Sequence, residues 1–182
     1  MTTVLPDARM DRVLLTDAEI AEAVTRLGHE VATDYAGRDL VLVTVLKGGL
    51  FFLSDLCREI DLPLTLDFMA ISSYGPQSTG SVAITKDLDE AIEDRDVLVI
   101  EDIIDTGLTL NYLLRVLRQR RPASLAVCTL LDKDARRLVD LPITYRGFSV
   151  PDRFLVGYGL DLGGLWRNTG YIATLKEAVW EA

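Results

Sequence analysis

Three stretches of this sequence bring together side chains that could do chemistry. The first runs VLVIEDIIDTGLTL, from Val97 to Leu110. Four apolar residues lead straight into Glu101 and Asp102. Ile103 and Ile104 follow, then Asp105-Thr106-Gly107-Leu108-Thr109 and an amphipathic run. That order predicts a buried strand ending at its carboxylates, a hydroxyl-rich turn and a helix start. Such a turn suits an anion, phosphate above all. The first amides of a helix are unpaired, the helix dipole favours negative charge there, and Thr106 and Thr109 add hydroxyl donors. Gly107 admits close backbone approach or a positive φ. Glu101 and Asp102 would repel the same anion, so they suit hydroxyls or a magnesium ion beside it.

The second stretch is Val45-Leu46-Lys47-Gly48-Gly49, another strand-to-helix turn. Its glycines let amides approach an anion and Lys47 adds charge, although a plain connecting turn is the commoner explanation of such a sequence. The third is Pro151-Asp152-Arg153-Phe154-Leu155-Val156-Gly157-Tyr158-Gly159-Leu160-Asp161, followed by Arg167. By itself Phe154 reads as a core residue. Lys133, in Asp132-Lys133-Asp134, reads as a surface lysine. The polar run Ser72 to Ser81 (SSYGPQSTGS) reads as a mobile loop carrying Ser73 and Tyr74.

The elements needed to hold these residues are legible around them. Thr16-Asp17-Ala18-Glu19 is a capping box, and Ile20, Val24, Leu27, Val31 and Tyr35 continue at helical spacing towards a stop at Gly37. Leu40 to Leu46 predicts a buried strand and Leu50 to Ile60 a helix. Leu64 to Met69 alternates as a strand does, and Val82 to Thr85 resumes one. Leu110, Leu113, Leu114 and Leu117 form a helix stripe. Ser124 to Leu131, Ile143 to Phe148 and Phe154 to Tyr158 predict three further strands. Strands alternating with helices imply an α/β fold, a mostly parallel sheet flanked by helices. Ligands of such sheets sit at the carboxyl ends of the strands. Lys47, Glu101, Asp102, Asp105 and Lys133 all follow strands and should gather there.

At 182 residues, with 49% hydrophobic and 26% charged residues, the chain reads as one soluble globular domain. The net charge of −9 argues against a nucleic-acid surface, and Arg115, Arg118, Arg120 and Arg121 read as a solvated helix end. Cys57 and Cys128 lie in apolar stretches without metal-ligand spacing, which predicts reduced thiols and a cytoplasmic protein. His29 is the only histidine, so a zinc site is not expected. No signal peptide or membrane-spanning run is evident, so no membrane partner is expected.

Taken in order, from about Leu14 to Lys176, these segments resemble the type I phosphoribosyltransferases, and within them the 6-oxopurine (hypoxanthine-guanine) branch. The first stretch matches that family's motif for phosphoribosyl diphosphate (PRPP) at every position. The resemblance implies a parallel-sheet core with a small hood from both chain ends, roughly 1–15 and 150–182 of a single 1–182 domain. It implies purine salvage: transfer of the phosphoribosyl group from PRPP to hypoxanthine or guanine, releasing pyrophosphate. The 5′-phosphate would lie on Ile104 to Thr109, the ribose hydroxyls on Glu101 and Asp102, and the pyrophosphate on Lys47, Gly48 and Arg167. Asp105 would be the general base. Lys133 would bind the purine 6-oxo group, Phe154 stack on the base and Leu155 reach it through its backbone. Asp161, with Glu101 and Asp102, would hold magnesium, and Ser73 and Tyr74 would form a lid. The Leu46–Lys47 peptide is often cis in that family, and its members form homodimers or homotetramers.

Leu162-Gly163-Gly164 and Trp166 depart from the family pattern. A regulator that keeps the PRPP-binding fold but binds nucleic acid is the alternative from another class. The acidic charge and the retained Lys133, Phe154 and Asp161 oppose it. A xanthine-preferring transferase is a third reading, since xanthine also carries the 6-oxo group.

Overall fold

The computed structural model describes residues 7–73 and 82–180. The chain order is β1 (Met10–Leu15), α1 (Asp17–Asp34), β2 (Leu40–Leu46), α2 (Leu50–Glu59), β3 (Leu64–Ser73), β4 (Val82–Lys86) and β5 (Asp96–Ile104). Then come α3 (Leu108–Arg118), β6 (Ser124–Asp132), a 3-10 turn (Asp134–Arg136), β7 (Ile143–Ser149), β8 (Leu155–Val156), β9 (Ile172–Leu175) and α4 (Glu177–Trp180).

Six strands form one sheet in the order β4-β3-β2-β5-β6-β7. All neighbours run parallel except β4, which closes one edge antiparallel to β3. The central strands are apolar on both sides because both faces are covered. Leu40, Leu42, Leu98 and Ile100 pack with α1 and α2, whereas Val41, Val43, Val97 and Val99 pack with α3. The capping box forms as expected: the Thr16 hydroxyl accepts from the Glu19 amide and the Glu19 carboxylate accepts from the Thr16 amide.

Two expectations about boundaries need correction. β5 does not stop at its acids. It continues to Ile104, because its pairing with β6 runs on through Glu101↔Thr129, Ile103↔Leu131 and Ile104↔Asp132. The expected strand from Phe154 to Tyr158 shrinks to Leu155–Val156, because Gly157, Tyr158 and Gly159 have φ of 101°, 49° and 99°, outside any strand conformation. α1 also ends at Asp34, with Gly37 in the turn beyond it.

A second sheet joins the two ends of the chain. Its order is β1-β9-β8, antiparallel throughout, with Met10 opposite Leu175 and Val156 opposite Ala173. Neither β1 nor β9 was expected as a strand. In the large sheet the chain leaves β2 towards β3 on one side and later adds β5 on the other. The carboxyl ends of β2 and β5 therefore flank the point where the strand order reverses, the usual ligand crevice of an open parallel sheet.

Candidate active site

The crevice is assembled from the turn after β2, the end of β5 with its following turn, and the segment after β6. The Leu46–Lys47 peptide is cis. The turn that follows lies hard against β5: a Cβ at Gly48 would sit 1.9 Å from Asp102 Oδ2, and one at Gly49 would sit 2.1 Å from Thr44 Oγ1. At Gly49 the obstacle is the buried Thr44 hydroxyl, held on the Ile100 carbonyl at 2.7 Å, whereas at Gly48 it is the end of the Asp102 side chain, which would have to shift. Gly159 crosses the other side of the same turn. A Cβ there would lie 2.2 Å from the Gly48 carbonyl oxygen, and φ is +99°. Gly159→Ala thus meets both a backbone clash and a conformation that alanine disfavours. It should cost at least about 2 kcal/mol of stability, read as a lower denaturation midpoint in urea.

At the end of β5, Glu101 and Asp102 are half-buried acids. Burial, with the Asp102 charge beside it, pushes Glu101 well above the ordinary carboxylate range. Burial raises Asp102 to about 6, partly offset by the Ile103 amide and Arg167, while the Asp161 charge adds to the rise. Two such groups await positive or hydrogen-bond-donating company.

The next turn is held from behind. The Arg137 guanidinium donates to the Asp105 carbonyl at 3.3 Å and the Leu138 amide to the Thr106 carbonyl at 3.0 Å. Arg137 is itself ion-paired to Asp132, which is 1% exposed and also meets Arg146 at 2.8 Å. Gly107 takes φ +80° as the residue before α3, with Leu141, Arg137 and Val139 packed against it. Among the described residues, no backbone carbonyl accepts from the amides of Thr106, Gly107 or Thr109. They line, or adjoin, a cavity of about 220 Å³ bounded by Glu101, Ile104, Asp105 and Leu110. The hollow lies at the turn where an anion is expected. Ile104 itself is core, 2% exposed, and contributes its carbonyl to the Lys133 amide. Leu108 and Thr109 are exposed.

A larger cavity, about 550 Å³, lies alongside. Lys133, Phe154, Leu155, Asp161 and Arg167 line it, as do Asp102 and Asp105. Asp105 and Ile103 border both cavities, so Asp105 stands at their junction. Its Oδ1 is buried with no hydrogen-bond partner among the described residues, and Arg136 Nε lies 3.4 Å away. Lys133 is only 7% exposed, and burial lowers its pKa. Its ammonium is 3.9 Å from Asp152. The surface reading of that lysine was therefore wrong.

One expected residue lies apart, and two that line the large cavity are engaged with each other. Lys47 is exposed and lines neither cavity. Asp161 and Arg167 form an ion pair with each other, and Arg167 also donates to the Gly159 carbonyl. Ser73 ends β3, whereas Tyr74 and the rest of the expected lid lie outside the described residues. The departure at Leu162-Gly163-Gly164 has a local reason. Gly163 and Gly164 take φ of 61° and 85° in a tight turn closed by Leu165 onto Leu162, and the Gly164 amide caps Asp161 at 2.6 Å.

Sequence reasoning passed over Arg136. It meets both Asp105 and Asp152, three residues beyond Lys133 in the 3-10 turn. That spacing is the signal that could have found it, since i and i+3 share a side of such a turn.

A family model described as phosphoribosyl transferase domain matches residues 14–162. The hypoxanthine-guanine phosphoribosyltransferase of Bacillus subtilis strain 168 is 47% identical over 175 residues, covering 95% of this chain and 97% of that protein. The protein of the same name from Mycobacterium avium is 48% identical, covering 93% and 87%. A crystal structure of a hypoxanthine phosphoribosyltransferase from Staphylococcus aureus superposes with a TM-score of 0.92 at 46% identity, over 99% of both chains. The Trypanosoma cruzi hypoxanthine phosphoribosyltransferase in complex with the product IMP gives 0.90 at 37% identity, over 97% of this chain and all of that one.

Proposed function

Because this chain belongs to the phosphoribosyl transferase family, a purine-salvage enzyme transferring a phosphoribosyl group from PRPP to a 6-oxopurine, we propose the following division of labour in its site. The observation that carries it is the meeting of two unlike cavities at one carboxylate, Asp105. The small cavity takes the 5′-phosphate on the amides and hydroxyls of Thr106 to Thr109. The ribose hydroxyls face Glu101 and Asp102. The large cavity takes the purine, with Phe154 as its stacking surface and the Leu155 backbone at its edge.

In the reaction, purine N9 bonds to the ribose C1′ as the bond from C1′ to pyrophosphate oxygen breaks, and the electron pair leaves with pyrophosphate. Asp105 receives the proton from N7. Glu101 and Asp102 steady the positive charge that develops on the sugar, acting from a partly desolvated position where a charge counts for more. Lys47, Gly48 and Arg167 receive the pyrophosphate. Arg167 must leave Asp161 to do so, which frees that carboxylate. Ser73 and Tyr74 shield the site from water.

Among the described residues, no three Asp, Glu, His or Cys side chains converge as a protein-made metal cage. Asp102 and Asp161 are nonetheless close enough for the second to raise the pKa of the first. One or two carboxylates supplemented by substrate oxygens suit magnesium, and these acids with Glu101 would hold it. When bound, magnesium neutralises the departing pyrophosphate. We also place the enzyme in the cytoplasm, in keeping with its free Cys57 and Cys128 and with the absence, among the described residues, of a helix able to cross a membrane. It is expected to assemble as a homodimer or homotetramer. Phe52, Leu53 and Leu56 are spent on the core, but Leu50 of α2 remains 41% exposed for such a contact, and light scattering would read the mass.

The test is product formation from PRPP and magnesium with hypoxanthine, guanine, xanthine and adenine offered separately. Nucleotide from the 6-oxopurines, with adenine inert, supports the reading. No product from any base would overturn it and direct attention to nucleic-acid binding. Lys133 donates and cannot accept, so it favours a carbonyl over an amino group at position 6. Lys133→Ala should raise KM for hypoxanthine about tenfold or more and narrow the gap to adenine, leaving KM for PRPP nearly unchanged. Steady-state kinetics with each substrate varied would show a loss of PRPP use instead if Lys133 served the other half of the site.

A further inference from the structure

Tyr158, in the loop that follows β8, takes no part in the reaction as described so far. Its φ of +49° is a conformation that few residues other than glycine adopt, and such a residue stays there only where its surroundings hold it. The side chain is 7% exposed, and its hydroxyl donates to Asp55 Oδ2 in α2 at 2.5 Å. Burial, with the Asp55 carboxylate beside it, raises the phenol pKa and keeps the hydroxyl a donor. The other oxygen of Asp55 pairs with Arg58, three residues along the same helix. The next residue of the loop, Gly159, exchanges hydrogen bonds with Arg167. Its amide donates to the Arg167 carbonyl at 2.9 Å, and its carbonyl accepts from the Arg167 guanidinium. Its other side lies too close to the Gly48 carbonyl to admit a Cβ. α2 begins at Leu50, directly after Lys47-Gly48-Gly49. The bond from Tyr158 to Asp55 therefore closes a ring that runs from the turn through α2 and Tyr158 to Gly159 and back to the turn.

We propose that Tyr158 is a positioning residue for pyrophosphate: by anchoring its loop to α2, it sets Gly159 and Arg167 in register with the Lys47–Gly48 turn. This rests on the reading in which Lys47, Gly48 and Arg167 receive pyrophosphate, and it deepens that reading by naming what joins the two sides of the subsite. The hydroxyl acts through Gly159 and touches no ligand itself. The purine contacts are held by other means. Lys133 is carried by the segment after β6, and its amide donates to the Ile104 carbonyl. Phe154 and Leu155 are pinned to β9, the first through the Leu175 amide and the second by strand pairing. Loss of the Asp55 contact should therefore be felt by PRPP and pyrophosphate and not by the base.

Tyr158→Phe keeps the ring and its packing and removes only the donor. In the full-length enzyme with magnesium it should raise KM for PRPP about 3- to 10-fold. KM for pyrophosphate in the reverse reaction from IMP should rise by the same factor, and KM for hypoxanthine should stay within about twofold of the parent value. Asp55→Ala should reproduce that pattern. The Asp55 side chain is 41% exposed, so its truncation opens no cavity in the core. Asp55→Asn, which keeps an oxygen to accept from the hydroxyl, should recover most of the parent KM for PRPP. Tyr158→Phe combined with Asp55→Ala should be no worse than either alone, because both remove the same bond. KM for PRPP and pyrophosphate left at the parent values by Tyr158→Phe and Asp55→Ala would overturn the positioning role and leave the proposed reaction standing. So would a rise shared equally by hypoxanthine, or losses that add in the double variant. A parent enzyme that forms no nucleotide from PRPP and any base would overturn the underlying reading, and this proposal with it.

Discussion

Asp105→Asn is expected to lower kcat by about 10²- to 10⁴-fold while KM for PRPP stays within a few-fold of the parent value. Asparagine has nearly the same shape, and the contacts that set this turn are made by other groups. Arg137 donates to the backbone carbonyl of residue 105, Leu138 to that of Thr106, and Gly107 supplies the positive φ. The 5′-phosphate hollow should therefore survive. What disappears is a carboxylate able to take a proton at the junction of the two cavities. Arg136, 3.4 Å from that carboxylate, offers only hydrogen-bond donors and cannot replace it. Turnover and KM measured with saturating hypoxanthine decide the point. A variant that turns over near the parent rate would mean that N7 loses its proton by another route.

Asp102→Asn should act in opposite directions on activity and on stability. Use of PRPP should fall by about two orders of magnitude or more, because a ribose contact and part of the negative charge beside the developing cation are lost. The free protein should nevertheless become more stable at pH 8. Burial raises Asp102 to about 6 in the folded chain, against 3.8 for an ordinary aspartate. A raised carboxyl pKa means that the folded state holds the proton more tightly than the unfolded state does. Stability contributed by that proton is present below about pH 4 and is lost as pH rises through about 6. At pH 8 the ionised group costs at most about 3 kcal/mol. Asparagine has no such cost, and its amide oxygen can still accept from the Ile103 amide, which meets Asp102 at 2.8 Å. The thermal midpoint should rise by several degrees at pH 8 and hardly at all at pH 4. Equal shifts at both values would refute the electrostatic account.

The parts of this protein legible in its sequence are those whose signal is local. The β5 acids and the Asp105–Thr109 turn are contiguous, and their strand and helix announce themselves by runs of Val, Ile and Leu. The Thr16 capping box is equally local. β1 and β9 were missed because Met10–Leu15 and Ile172–Leu175 are short and become strands only by pairing with each other across the chain. The β5 boundary was misjudged because charge was read as a stop, whereas strand pairing depends on backbone groups and continues past Glu101 and Asp102. Lys133, Arg136 and Trp180 look like surface or terminal residues in one dimension. Their place in the large cavity depends on how the 3-10 turn and α4 fold back over the sheet. The intimacy of Gly48 with Asp102 and of Gly159 with Gly48 depends on distant segments and has no signature in the sequence.

The pairing of Met10 with Leu175 also fixes an order of assembly. β9 is the middle strand of its sheet, so β1 and β8 have no partner until it arrives. By contrast β2, β5, α3 and β6, which carry the turns proposed for the sugar and phosphate, all lie before β9 in the chain. On the ribosome those strands emerge before β8 and β9, which build the small sheet beside the larger cavity. A nascent chain would thus have the turn proposed for the 5′-phosphate before it had the wall proposed for the purine.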